Sequence, residues 1–215
     1  MGISRRQFLG CAAGALAIGL PLDLTRPVDA RHRCLLLDLR EQCGLRESVA
    51  GYASVLAGLS GAPHRATLII PAALAIPPAA VRTIVTWLHG SATVILESGA
   101  GFAAESTFHA HQGTLGDSLQ IRVEPPLALW PRSMPYVDYT WPYPAKLRDF
   151  SRVVPLGPQA GEVIASVDGL PVALKRRIGR GTLIFLGSAV GPALWSGDAD
   201  ARGWVFDVVT KLNAP

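Results

Sequence analysis

Glu97 and Ser98 end an apolar run that begins at Ala92, and a glycine-rich turn, Gly99-Ala100-Gly101, follows at once. In an open α/β sheet, ligands sit beyond the carboxyl ends of the strands, so this bend is expected at a cleft mouth. The first chemistry it suggests is acyl transfer. A serine hydroxyl attacks only with a base beside it, and His109 and His111 are the candidate bases, with Asp117 to orient them. The G-x-S-x-G elbow of such enzymes is not met, because Leu96 and Ala100 stand where it has glycines. The plainer reading is that Ser98 satisfies backbone groups at a strand end.

The same turn admits two further chemistries. Gly99-Ala100-Gly101-Phe102-Ala103-Ala104 matches G-x-G-x-x-A, whose glycines let backbone amides approach a pyrophosphate, with Glu124 as a ribose carboxylate. Dinucleotide-binding domains open with that motif on their first strand, and here it follows the third. His109-x-His111 with Glu105 offers two imidazoles and a carboxylate, a set that can hold zinc. Two histidines on a surface segment are commoner, and neither a metal nor a cofactor is assigned.

The least ordinary stretch is Tyr136-Val137-Asp138-Tyr139-Thr140-Trp141-Pro142-Tyr143-Pro144. Tyrosine and tryptophan offer large, stiff contact area with a polar tip, suited to a sugar face or a partner protein. Alternatively the segment folds over the sheet and buries its rings, with Lys146, Arg148 and Asp149 anchoring it. As a flap it would close over Glu97 and Ser98. The candidate ligand-binding residues are Glu97, Ser98, Gly99, Gly101, Tyr139 and Trp141. No catalytic residue is assigned outside the alternative set of Ser98, His109 and His111.

The elements that must position these residues follow from periodicity. Cys34 to Asp38, Thr67 to Ile70 and Ala92 to Leu96 are short continuous apolar runs, as in buried parallel strands. Pro71 is expected to cut the second one off. Between them, Arg46 to Leu59 and Ala79 to His89 have helical spacing. Strands alternating with helices imply a parallel sheet with right-handed crossovers. After the turn, Phe102 to His111 reads as a short helix and Leu119 to Val123 as a strand. Pro125 to Pro158 reads as a long connection. Glu162 to Val167 and Pro171 to Arg176 flank Asp168-Gly169, a hairpin signal. Gly181 to Leu186 is another buried strand. Asp198 caps a last helix with Ala201, Trp204, Val205, Val208, Val209 and Leu212 inside.

The chain has 215 residues and a formal net charge of +4. Ser4-Arg5-Arg6-Gln7-Phe8-Leu9 resembles the twin-arginine export motif. An apolar run and Val28-Asp29-Ala30 follow, so residues 1–30 are expected to be a cleaved signal peptide. It touches the membrane only transiently, and the mature domain, 31–215, is expected in the periplasm. No basic run exceeds Lys175-Arg176-Arg177, which argues against nucleic acid. Cys34 and Cys43 flank a strand too long for a disulfide, whose Cα atoms must lie within ~7 Å.

Two stretches carry a family resemblance. One is Thr67 to Phe102, containing Trp87-Leu88-His89-Gly90. The other is Gly179-Arg180-Gly181-Thr182-Leu183-Ile184-Phe185-Leu186-Gly187-Ser188. Together they resemble the class I glutamine amidotransferase-like fold, and are closest to its divergent members, such as accessory domains of some β-galactosidases. The resemblance implies an α/β, three-layer sandwich with a mostly parallel flavodoxin-like sheet, to which the hairpin is a C-terminal addition. Catalytic members carry G-x-C-x-G after the third strand and a His and Glu after a late strand. Here Glu97-Ser98-Gly99-Ala100-Gly101 has no cysteine and Leu186-Gly187-Ser188 is followed by no His-x-Glu. The expectation is an exported, non-catalytic binding or accessory module without cofactor, engaging a partner protein or a carbohydrate. A small hydrolase working at Ser98 is the alternative.

Overall fold

The computed structural model describes residues 34–58, 66–98, 105–129, 135–149 and 152–211. The signal-like segment 1–30, Leu59, Gly99, Gly101, Phe102, Trp130 and Leu212 lie outside the described residues. The strands are β1 (Cys34–Leu36), β2 (Thr67–Ala73), β3 (Thr93–Ser98), β4 (Leu127–Ala128), β5 (Tyr136–Tyr139), β6 (Ala145–Arg148), β7 (Arg152–Val153), β8 (Glu162–Val167), β9 (Leu170–Ile178) and β10 (Gly181–Leu186). The helices are α1 (Arg46–Ala57), α2 (Pro78–His89), α3 (Glu105–Leu119), α4 (Gly191–Ser196) and α5 (Ala199–Lys211).

Eight strands form one sheet in the order β1-β2-β3-β10-β9-β8-β5-β6, and β4 pairs with β7 apart from it. The fold is α/β, but the sheet is mixed rather than mostly parallel. Only β1-β2, β2-β3 and β3-β10 pair parallel; β10-β9, β9-β8, β8-β5 and β5-β6 are antiparallel. The hairpin is therefore part of the main sheet. Asp168 and Gly169 at its tip have φ of 50° and 81°, the pair of positive values a type I′ turn needs.

The alternation of side chains along the parallel strands separates two cores. Ile69, Ile95 and Ile184 pack with Tyr52 and Leu56 of α1, Leu194 of α4 and Trp204 and Val205 of α5. Leu68, Val94, Leu96 and Phe185 pack with Ile84 and Leu88 of α2 and Phe108 and Leu115 of α3. Helices thus cover both faces of the parallel half. In α5 the five described residues expected inside are 0–1 % exposed, and Asp198 caps it, accepting the Ala201 amide at 2.9 Å.

Three elements differ from expectation. Strand β2 runs through Pro71 to Ala73, with a register shift between Ile70 and Ala73 and Ala72 at φ 42°. The proline is tolerated because β1 pairs only as far as Ile69, so the missing N–H has no ladder partner on that side. Helix α3 is 15 residues long and takes in Leu119, so Leu119 to Val123 is not a strand; Val123 makes a lone bridge to Leu156. Its buried stripe is Phe108, His111, Leu115 and Leu119, a helical spacing hidden by a histidine at its second position. The long connection contains β4 to β7, and β5 joins the main sheet by pairing with β8. Cys34 pairs with Thr67 and Cys43 bridges Ala73, at opposite ends of β2, and both thiols are free.

Candidate functional site at the strand ends

Glu97 and Ser98 are adjacent on β3 and therefore face opposite sides of the sheet. Both are 0 % exposed. The two sides carry different polar clusters.

On the α1 side, Ser48 Oγ donates to Glu97 Oε1 at 2.7 Å, and the Gly191 amide at the start of α4 donates to Oε2 at 3.1 Å. Close backbone contact makes this arrangement reachable. A β-carbon on Gly51 would lie 2.2 Å from the Gly191 carbonyl oxygen, so α1 and α4 cross with nothing between them. Burial pushes the Glu97 carboxyl up from 4.5 to about 7; Ser48, Tyr52 and the Gly191 amide pull it down, and the Asp149 charge pushes it further up. Asp149 is 4 % exposed and accepts the Ala189 amide at 3.0 Å. Burial holds the Tyr52 and Tyr139 phenols well above their usual range, with the negative charge of Glu97 adding to both. They remain neutral.

On the α3 side, Ser98 Oγ lies 2.7 Å from His111 Nε2. Burial lowers His111 from 6.5 to about 4, so the imidazole is neutral at pH 7 and is a weak base. His109 points elsewhere: it is exposed, 3.3 Å from Gln112 Oε1 and 3.4 Å from Glu105. Asp117 is exposed on α3 and six residues from His111, which at 100° per residue turns it away from that ring. The structure thus brings Ser98 to His111 and brings neither His109 nor Asp117 to Ser98. Glu124 is exposed beside Gly157. No group of three or more potential metal ligands occurs among the described residues.

The aromatic segment is placed against the α1 side. The Tyr139 ring packs against Trp204 with centroids 4.6 Å apart and planes tilted by 57°, and Trp204 Nε1 donates to the Trp141 carbonyl at 2.8 Å. Trp141 is half-buried with Lys175 Nζ 4.3 Å above its ring. Tyr139 is an internal contact of the core, and Trp141 lies over α5 and β9. Asp149 does anchor the segment, through Ala189.

Three participants were not singled out from the sequence: Ser48, Tyr52 and Gly191. Ser48 and Tyr52 lie four apart, on one face of α1. The Gly191-Pro192 pair at a helix start was the one available signal for α4.

No protein family matches the sequence, and no curated protein matches it. Solved structures do. A β-galactosidase from Rahnella sp. R3 superposes with a TM-score of 0.56 at 12% identity, over 80% of this chain and 28% of that one. A polyextremophilic β-galactosidase from the Antarctic haloarchaeon Halorubrum lacusprofundi superposes at 0.52 and 18% identity, over 82% and 31%. The chain therefore spans less than a third of these glycosidases, and at such identities the likeness is one of fold.

Proposed function

We propose that this chain is an exported, non-catalytic binding or accessory module of the periplasm, a divergent relative of the glutamine amidotransferase-like, flavodoxin-like domains. The observation that carries the reading is the fate of the strand-end groups. Glu97 is taken up by Ser48 and Gly191, and Ser98 is sealed against a neutral His111. Groups committed to internal hydrogen bonds at zero exposure are suited to holding a scaffold together. The superposition on under a third of two β-galactosidases supports an accessory role beside a larger assembly, with a partner protein or a carbohydrate as its ligand. The twin-arginine-like leader supports export of a chain already folded. Exposed Trp195 and Phe206, at 62% and 45%, offer aromatic contact area of the kind such ligands use.

The 2.7 Å pairing of Ser98 with His111 favours one rival, a serine hydrolase. A fluorophosphonate probe separates the two. The module reading predicts no labelling of the folded wild type. Labelling that disappears in Ser98→Ala would establish the hydrolase instead.

A further inference from the structure

A groove lies between α1 and α5, away from the strand-end groups. Ser54 lines it from α1, Tyr143 from the connection between β5 and β6, and Arg202, Gly203, Phe206 and Asp207 from α5. Arg202 and Phe206, and likewise Gly203 and Asp207, are four apart and so share one face of α5. The groove encloses about 400 Å³, within the roughly 300–1,000 Å³ of small-molecule sites. Its walls are mixed in character. Phe206 is 45% exposed, while Trp204, two positions earlier, is buried. Arg202 is exposed and Asp207 half-buried. One charge of each sign favours neither an anion nor a cation. A guanidinium has several N–H groups and a carboxylate several lone pairs, so an internal contact leaves either able to bind a ligand. Gly203 shapes the same place. Glycine is a poor helix former, and a β-carbon there would meet only the Tyr143 hydroxyl, at 3.2 Å, outside its own helix. Backbone packing does not require the glycine; it leaves room for that hydroxyl against α5.

We propose that the α1–α5 groove is a subsite for a neutral saccharide. Phe206 packs on the C–H face of a sugar ring, and Arg202, Asp207 and the Tyr143 hydroxyl take its hydroxyl groups. A sugar matches this lining because its hydroxyls both donate and accept, and its ring face is apolar. The proposal rests on the module reading and selects carbohydrate as its ligand.

Titration of the nitrogen-15-labelled full chain with β-1,4-linked tetrasaccharides of glucose, mannose and galactose, followed by amide chemical shifts, tests it. At least one sugar is expected to move the amides of Ser54, Gly203 and Phe206 saturably. Phe206→Ala should weaken that binding roughly tenfold, and Arg202→Ala severalfold. Both side chains are exposed, so the fold should survive, and unchanged β2 amides report that it has. Trp195 is 62% exposed but outside the groove lining, so Trp195→Ala should bind as wild type does. No saturable shift with any of the three sugars would overturn the subsite. So would shifts confined to other residues, or an affinity that Phe206→Ala leaves within about twofold of wild type. Shifts elsewhere would leave a carbohydrate-binding module with a different site, whereas no shift at all would leave a partner protein as its ligand. Catalysis at Ser98 is read separately, by the fluorophosphonate probe.

Discussion

Gly191→Ala is expected to lower stability by more than about 3 kcal/mol in urea unfolding, near the top of what overpacking does. A β-carbon at 191 would lie 2.2 Å from Ser48 Cα and 2.4 Å from Ser48 Cβ and Oγ. The Cα belongs to the backbone of α1, so no side-chain rotation relieves the contact. The displaced hydroxyl is the one that donates to Glu97. The same substitution therefore leaves a buried carboxyl short of a donor, which costs more than the lost bond. Gly113→Ala is the contrast. A β-carbon there meets nothing within 4 Å in the middle of α3, so the change should stabilise by up to about 1 kcal/mol. Gly191→Ala within about 1 kcal/mol of wild type would contradict the close crossing of α1 and α4.

The second large effect is a pH profile in which two buried groups oppose each other. Burial raises Glu97 from 4.5 to about 7, so the folded chain keeps a proton that the unfolded chain gives up. That stability is complete below about pH 4.5 and is lost as pH rises to about 7. Burial lowers His111 from 6.5 to about 4, so the unfolded chain binds a proton that the folded chain refuses. That stability is complete above about pH 6.5 and is lost as pH falls to about 4. Each contribution is roughly 3 kcal/mol, and their slopes cancel where the windows overlap. Glu97→Gln removes one of them. The stability of wild type minus that of Glu97→Gln should fall by roughly 3 kcal/mol between about pH 4.5 and 7. A difference that is flat, or that rises with pH, would show that Glu97 does not keep its proton in the folded state.

What the sequence made legible is what local pattern determines. Gly181 to Leu186 is a run of apolar residues between turn signals, and β10 has those bounds. Asp168-Gly169 specifies its turn by backbone chemistry alone. Ala201, Trp204, Val205, Val208 and Val209 give α5 its buried face by period. Elements failed where a single residue disguised the pattern. His111 breaks the apolar stripe of α3, and Pro71 reads as a stop although β1 ends before it. The mixed sheet was not legible because β5 and β6 lie in a proline-rich stretch, and their pairing with β8 is non-local. Of the site, Glu97, Ser98 and His111 were legible as chemistry at a strand end. Their roles were not, because alternation along β3 sends Glu97 and Ser98 to different cores. Ser48 and Gly191, which take up Glu97, lie 49 and 94 residues away in the chain.

The Glu97 carboxyl group is buried and held inside the fold at the end of β3. Its side-chain carbon, followed by carbon-13 NMR across the pH range, tests this most directly. Glu97 should titrate with a midpoint at about 7, and Ser48→Ala should move that midpoint upward by removing a donor to the charged form. A midpoint near 4.5, unmoved by Ser48→Ala, would place the group in water and contradict the account.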